Sequence, residues 1–272
     1  MAKKTTKKQR KELLIGLLAL VLGFLLLLVL VLCLPRPQKA KFKAAAAPTA
    51  LAPNPYKPED FGYKNGYLTC LAGPSVLGLD VSSHQGSIDW QQVKEAGFSF
   101  VMIRVGYRGY EDGQLHLDTF AQSNYAGAKE AGLQVGAYFF SQATNTAEAL
   151  EEAELLLSQI HSWELDMPVV YDWEYISPEA RTGHITSDTL LSCTTAFLEK
   201  VEQAGHRPMV YFNPNHAQTL LDLEAVKEYP FWLALYSDRM TFDHRVDMWQ
   251  YTQEGSVPGI EGPVDIDLWF PE

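Results

Sequence analysis

Cysteine is scarce in this chain, three residues in 272, and no two stand at metal-ligand spacing. There is no His-Glu-x-x-His run either, and the seven histidines are scattered, so neither a structural nor a catalytic metal is expected. A dinucleotide fingerprint is missing as well: Gly106-Tyr107-Arg108-Gly109 is no G-x-G-x-x-G, and no cofactor is expected. Basic charge is nearly confined to one end. Residues 1–43 hold ten basic groups and one acidic, while the remainder holds twelve basic and 32 acidic, a net charge of −20. Such a body cannot bind nucleic acid by neutralising phosphates. Cys33 lies in an apolar run. Cys193, at helical spacing between Leu190 and Phe197, reads as a buried apolar residue. A Cys70–Cys193 disulfide is left open, since sequence does not fix pairing.

What is present begins with a run of 22 uncharged residues, 13–34, mostly Leu and Val, long enough to span a bilayer. Six basic residues precede it and four follow (Arg36, Lys39, Lys41 and Lys43), an excess that favours a cytoplasmic N-terminus. A cleavable signal peptide would have a shorter core with a small-residue site directly after it. Here the nearest Ala-x-Ala pattern, at 44–47, lies about ten residues beyond the run. The reading is a cytoplasmic tail (1–12), an uncleaved single-pass anchor (13–34) and an extracellular remainder. Residues 35–75 read as a Pro/Ala-rich tether whose aromatics between Tyr56 and Cys70 could pack on a domain edge. Residues 76–272 make one domain, expected to be monomeric.

Within it, apolar β-branched runs alternate with helical segments. Strands are expected at 76–82, 98–107, 133–141, 167–174, 208–213, 231–236, 246–251 and 264–269, and helices at 90–96, 119–131, 147–160 and 187–204. Gly132 and Gly205 end two of the helices, and Asn145 with Glu148 suggests a capping box. Alternation of this kind argues for parallel strands joined by right-handed crossovers. Eight strands suggest an α/β fold, an irregular TIM-like (β/α) barrel with shortened or missing helices in its C-terminal half; an open doubly wound sheet is the alternative.

The most informative residues are Asp172-Trp173-Glu174-Tyr175, at the end of the run 167–171. Side chains two apart on a strand share a face. Asp172 and Glu174 therefore point the same way, and two acids in a partly apolar site push one another towards the protonated form. Such a pair can protonate a glycosidic oxygen while a second group manages the charge developing on the sugar. Alone, the pair also fits a solvated strand end. A barrel adds a demand: functional groups gather at the C-terminal ends of strands. Asp80, Arg104, Tyr138, Tyr211 with Asn213, Trp232 with Tyr236, Gln250, and Asp265 with Asp267 occupy such places in turn. Acids together with Tyr, Trp and Gln suit a carbohydrate. Arg104 could equally neutralise a buried acid, and Trp249 or Trp269 could be core.

Gly78-Leu79-Asp80-Val81-Ser82-Ser83-His84-Gln85-Gly86 with Ile88-Asp89-Trp90 resembles the opening of family 25 glycoside hydrolases, the N-acetylmuramidase type of lysozyme. The resemblance continues in order through 103–109, Gly136-Ala137-Tyr138-Phe139-Phe140-Ser141, Val170-Tyr171-Asp172-Trp173-Glu174, Trp249-Gln250-Tyr251-Thr252 and Gly262-Pro263-Val264-Asp265-Ile266-Asp267. It implies an irregular barrel, no metal, and hydrolysis of the β-1,4 bond between N-acetylmuramic acid and N-acetylglucosamine in peptidoglycan. By position it implies Glu174 as general acid/base, Asp172 as its partner, and Asp80 and Asp265 as flanking acids. Tyr138, Arg104, Tyr211, Trp232, Gln250 and Asp267 are the substrate-binding candidates. Asp267 departs from the Asn usual in that motif. The expected role is wall remodelling from the membrane. The competing reading is a wall-binding module on the same fold without activity.

Overall fold

The computed structural model describes residues 50–271. An antiparallel hairpin, β1 (Phe61–Lys64) and β2 (Tyr67–Cys70), precedes the main sheet. The chain then runs β3 (Val76–Val81), α1 (Trp90–Glu95), β4 (Phe100–Arg108), β5 (Leu115–Leu117), α2 (Ala121–Glu130), β6 (Gln134–Ser141) and α3 (Thr146–Ile160). It continues through β7 (Val169–Trp173), α4 (Ser187–Gln203), β8 (Pro208–Phe212), α5 (Pro214–Thr219), β9 (Phe231–Ala234), β10 (Met248–Gly255) and β11 (Val264–Trp269).

Eight strands close into a barrel in the order β3, β4, β6, β7, β8, β9, β10, β11, with β11 returning to β3. The pairings from β3 round to β10 are all parallel. The last strand is the exception, antiparallel to both its neighbours. The cause is the connection. Only residues 256–263 separate β10 from β11, fewer than the dozen or more that a parallel crossover requires. The strand can therefore only turn back. Short β5 lies antiparallel to the overhanging end of β4, outside the closed ring.

The helix boundaries follow local chemistry. Asn145 caps α3 by accepting from the Glu148 N–H, and Thr186 caps α4 in the same way. The reciprocal half of the box at α3 is displaced by one residue: the Glu148 carboxylate takes the Thr144 N–H, not that of Asn145. Gly132 and Gly205 end their helices at φ +76° and +83°, where a side chain would be strained. After β8 the connections hold only six-residue α5 and a 3₁₀ turn at Glu224–Val226, and β9 runs to β10 without a helix.

That gap has a substitute. The outward ring of Trp249, on β10, is wholly buried because Phe61 of the hairpin meets it edge-on at 5.0 Å. Tyr56 lies 4.9 Å from Phe270, and the Leu68 N–H donates to the Tyr251 hydroxyl. Pro53 bridges to His244, and Asn54 N–H donates to Asp243 O at 2.8 Å. The segment from about residue 50 to 75, which composition assigns to the tether, is thus packed onto the barrel, beyond the edge contact expected of its aromatics. Cys70 and Cys193 are both buried and unpaired.

The barrel lumen is filled by Phe100, Met102, Tyr138, Val170, Met209, Tyr211, Trp232 and Met248. Flexible methionines suit an irregular interior that rigid branched side chains would fill poorly. Among the described residues no helix is long and apolar enough to cross a membrane, and the anchor expected at 13–34 lies outside them.

Candidate active site

At the end of the barrel where the parallel strands finish, a cleft of about 250 Å³ is lined by Asp80, Arg104, Tyr138, Asp172, Glu174, Tyr211, Trp232, Gln250 and Asp265, together with Ser82, His84, Gln85, Phe140, Tyr236 and Gln253. Nine of the ten residues expected from the sequence therefore share one cavity. Asp265 reaches it differently from the expectation. Because β11 runs backwards, Asp265 sits near that strand's start, directly opposite Asp80 at the end of β3.

Three expected residues take other duties. Asp267, two residues further down β11, is wholly buried beneath the cleft and does not line it. Trp232 forms floor; it is 1% exposed, stands edge-on to Tyr211 at 5.0 Å, and donates its indole N–H to Asp267 at 2.8 Å. With so little face open it is no stacking platform. Asn213 caps α5 through the His216 N–H and lines no part of the cleft. Arg104 does two jobs: it lines the cleft, and it pairs at 2.9 Å with Asp118, whose side chain is fully buried.

The acids divide into two walls. On one, Gln250 donates to Asp80 at 2.6 Å, and Gln250's own oxygen accepts the hydroxyls of Tyr211 at 3.0 Å and Tyr236 at 3.1 Å. On the other, the carboxyls of Asp172 and Glu174 find no protein donor to match. Asp172 Oδ1 is buried with no partner. Burial pushes the Glu174 carboxyl up to about 7, and the charge of Asp265 adds to this. Burial also raises Asp172 well above the carboxylate range, with Glu174 reinforcing and Arg104 opposing the shift. Asp265 is raised by burial to about 6. Asp80 is raised by burial and by its neighbours Asp265 and Asp267, against the hydrogen bond from Gln250. A group with a pKa near 7 can both give and take a proton at neutral pH. Among the described residues no cluster of His, Cys, Asp or Glu has metal-holding geometry.

Sequence reasoning misses Gln142. Its side chain is wholly buried and donates to the Glu174 carbonyl at 2.6 Å and to Ser141 O, while Thr182 donates to its amide oxygen. Arg181 donates to the Gln142 carbonyl and forms a two-pronged pair with Glu148. The loop that follows Glu174 is thereby strapped to β6 and α3. On the other side the Tyr175 N–H donates to Nε2 of buried His216. One signal points here: Glu148 stands out in the sequence as a helix-capping acid, and the same carboxylate serves Arg181.

Comparison with known proteins gives this geometry its setting. The pattern of glycosyl hydrolases family 25 matches residues 79–260. The chain is 30% identical over 193 residues to the autolytic lysozyme of Clostridium acetobutylicum, covering 71% of this chain and 55% of that protein. To lysozyme M1 of Streptomyces globisporus it is 30% identical over 207 residues, covering 70% and 66%. Its fold superposes on the modular autolysin LytC of Streptococcus pneumoniae, solved with a synthetic peptidoglycan ligand, with a TM-score of 0.65 and 25% identity over 77% of this chain and 50% of that one. The chain thus spans about half to two thirds of these relatives. It belongs to glycosyl hydrolase family 25 and is a glycosidase.

Proposed function

We propose that this glycosidase hydrolyses the β-1,4 bond between N-acetylmuramic acid and N-acetylglucosamine in peptidoglycan, with Glu174 as the acid/base and Asp172 as its assistant. Supporting the substrate are the lysozyme names of its relatives and the peptidoglycan ligand of LytC. The observation that carries the mechanism is the contrast between a Glu174 that holds a proton near neutrality and the buried, donor-free Oδ1 of Asp172 beside it.

In the first step Glu174 gives its proton to the leaving glycosidic oxygen as that bond to the anomeric carbon breaks. The oxygen of the substrate's own 2-acetamido group bonds to the anomeric carbon from the opposite face. Asp172 Oδ1 accepts the acetamido N–H, which orients the group, and in its ionised form, which Arg104 favours, Asp172 balances the positive charge of the ring that forms. In the second step water attacks the anomeric carbon, Glu174 takes its proton back from that water, and the ring reopens. Asp80, Gln250, Tyr138 and Tyr211 bind sugar hydroxyls. Residues 13–34, by length and apolarity, anchor the domain to the membrane, where it remodels the wall from the outer side.

The test is release of reducing ends from purified peptidoglycan. The wild-type chain should release muramic-acid ends, and Glu174→Gln, which keeps shape but cannot cycle a proton, should fall by roughly 10²–10⁴-fold while still binding glycan. A thiazoline mimic of the cyclic intermediate should inhibit strongly. Near-full turnover by Glu174→Gln would move the donor's role to another acid.

A further inference from the structure

Beneath the cleft lies a carboxyl that the catalytic steps do not use, Asp267, paired with Asp80 of the cleft wall. The antiparallel register of β3 and β11 places Asp265 opposite Asp80 and Asp267 opposite Gly78. All three acids therefore project from one face of adjoining strands, into the lumen. Glycine at 78 leaves that layer to the ring of Phe100, which occupies the space a Cβ would need. Asp267 is sealed in this layer with no exposed surface.

Its hydrogen bonding is incomplete in a telling way. Oδ1 accepts the Trp232 indole N–H at 2.8 Å, but no donor reaches Oδ2. The polar group left for it is the carboxyl of Asp80, its diagonal neighbour across the β3–β11 pair. Asp80 already takes the Gln250 amide on Oδ2 at 2.6 Å. Among the described residues neither Asp80 nor Asp267 has a lysine or arginine beside it. The charged and titratable groups that face the pair are Asp265 and Asp172, which are acids, Tyr138, Tyr211, Tyr236 and Tyr251, which are neutral, and Arg104 of the same cleft, whose charge is already paired with Asp118. None can offset a second negative charge. Two ionised carboxylates are acceptors only, so face to face in a dry interior they repel and leave their lone pairs unmet.

We propose that Asp267 is a positioning residue that holds a proton and donates it as a hydrogen bond to Asp80, so the two carboxyls share one negative charge. Asp80 then receives two donors, Gln250 from β10 and the Asp267 hydroxyl from β11, and is fixed with its charge facing the cleft. Burial, followed by the charge of Asp265, favours the neutral form of Asp267 and outweighs the opposing pull of its hydrogen bonds with Trp232 and Asp80. One charge is also withheld from beneath a pocket lined by four acids, which eases the negative field in which Glu174 must release and recover its proton. The value assigned to Asp80 rests on the glycosidase reading above; the proton itself does not.

The experiment uses the full chain. Infrared difference spectra between wild type and Asp267→Asn, recorded near pH 8 where ordinary carboxyls are ionised, should show a protonated-carboxyl carbonyl band in wild type that Asp267→Asn lacks. The amide of Asp267→Asn can keep both bonds, its oxygen accepting from Trp232 and its N–H donating to Asp80. Asp267→Asn should therefore stay within about 3-fold of wild-type kcat/KM, whereas Asp267→Leu, which keeps neither bond, should lose roughly 10–100-fold. Wild-type and Asp267→Asn spectra with the same protonated-carboxyl absorption would overturn the proposal. So would an Asp267→Asn enzyme as impaired as Asp267→Leu. The spectra decide the matter even if Asp267→Leu does not fold. They read the proton without reference to hydrolysis, so a wrong role for Glu174 would appear in Glu174→Gln and not here.

Discussion

The two walls that face one another across the cleft are built on opposite principles. On the wall made by β3, β10 and β11, the protein supplies donors to its own acids: Gln250 serves Asp80, Tyr211 and Tyr236 serve Gln250, and Trp232 serves one oxygen of Asp267, leaving the other for the proton proposed above to be shared with Asp80. On the β7 wall, Asp172 keeps a buried oxygen without a donor and Glu174 carries a raised pKa. A satisfied network resists change and sets shape. An unsatisfied acid carries a standing cost that a ligand relieves. On the proposed mechanism, the difference separates groups that hold the sugar from groups that act on it.

The comparison breaks most sharply at Asp172. Asp172→Ala should lower kcat by roughly 10²-fold or more, because the acetamido N–H loses its acceptor in the transition state. On the opposite wall, Gln250→Ala should act more through KM, since it loosens a binding wall and leaves the proton donor in place. Steady-state kinetics on a soluble glycan fragment separates the two. If both variants changed kcat alike, the division between walls would not hold.

The next effect is intermediate and tests the strap behind the reactive wall. Gln142→Ala removes the donor to the Glu174 carbonyl and the acceptor of Thr182. Loss of a buried hydrogen-bonding residue costs about 1–3 kcal/mol. Turnover should fall roughly 10-fold with little change in the fold measured by circular dichroism, and Gln142→Glu, which cannot donate to that carbonyl when ionised, should not restore it.

The pH dependence follows from the acids' burial. On the proposed mechanism Glu174 must be protonated to act, so kcat/KM should decline as pH rises through about 7. Stability also declines as pH climbs, for a separate reason. An acid whose folded pKa lies above its unfolded value binds more protons when folded, so stability is lost from the unfolded value upwards, and the cost keeps growing above about 7 only through other groups. Glu174→Gln removes that penalty. It should raise the melting temperature at alkaline pH, by an amount corresponding to ~3 kcal/mol at most, and change it little at acidic pH. Thermal melts at the two extremes check this, and a variant that is less stable at high pH would contradict the buried-acid account.

How much of the molecule is legible in its sequence depends on whether a local rule suffices. The span of β11 agrees with its expected run, since period and composition are local properties. Its reversed direction departs from the expected parallel barrel, although the eight-residue connection at 256–263 already excludes a parallel crossover. Asp172 and Glu174 can be paired from strand periodicity alone. For Asp267 the same periodicity gives a shared face with the cleft-lining residues but not a depth; one layer further down, the lumen is closed by Trp232. Gln142 carries no signal of its own beyond the capping acid Glu148 that holds its partner Arg181, because its work is done through the backbone of Glu174, 32 residues away in sequence. The packed hairpin is masked by the prolines around it. Composition cannot reveal that Trp249 stands on a strand with no crossover helix before it and needs covering.

Central to the proposed mechanism is that the open wall recruits the substrate's own acetamido oxygen, with Asp172 holding its N–H. The most direct test is the anomeric configuration of the first-formed product, followed by proton NMR during hydrolysis of a soluble peptidoglycan fragment before mutarotation sets in. Two successive displacements at the anomeric carbon predict retention, a β-configured reducing end. An α-configured first product, the mark of a single displacement by water, would contradict it.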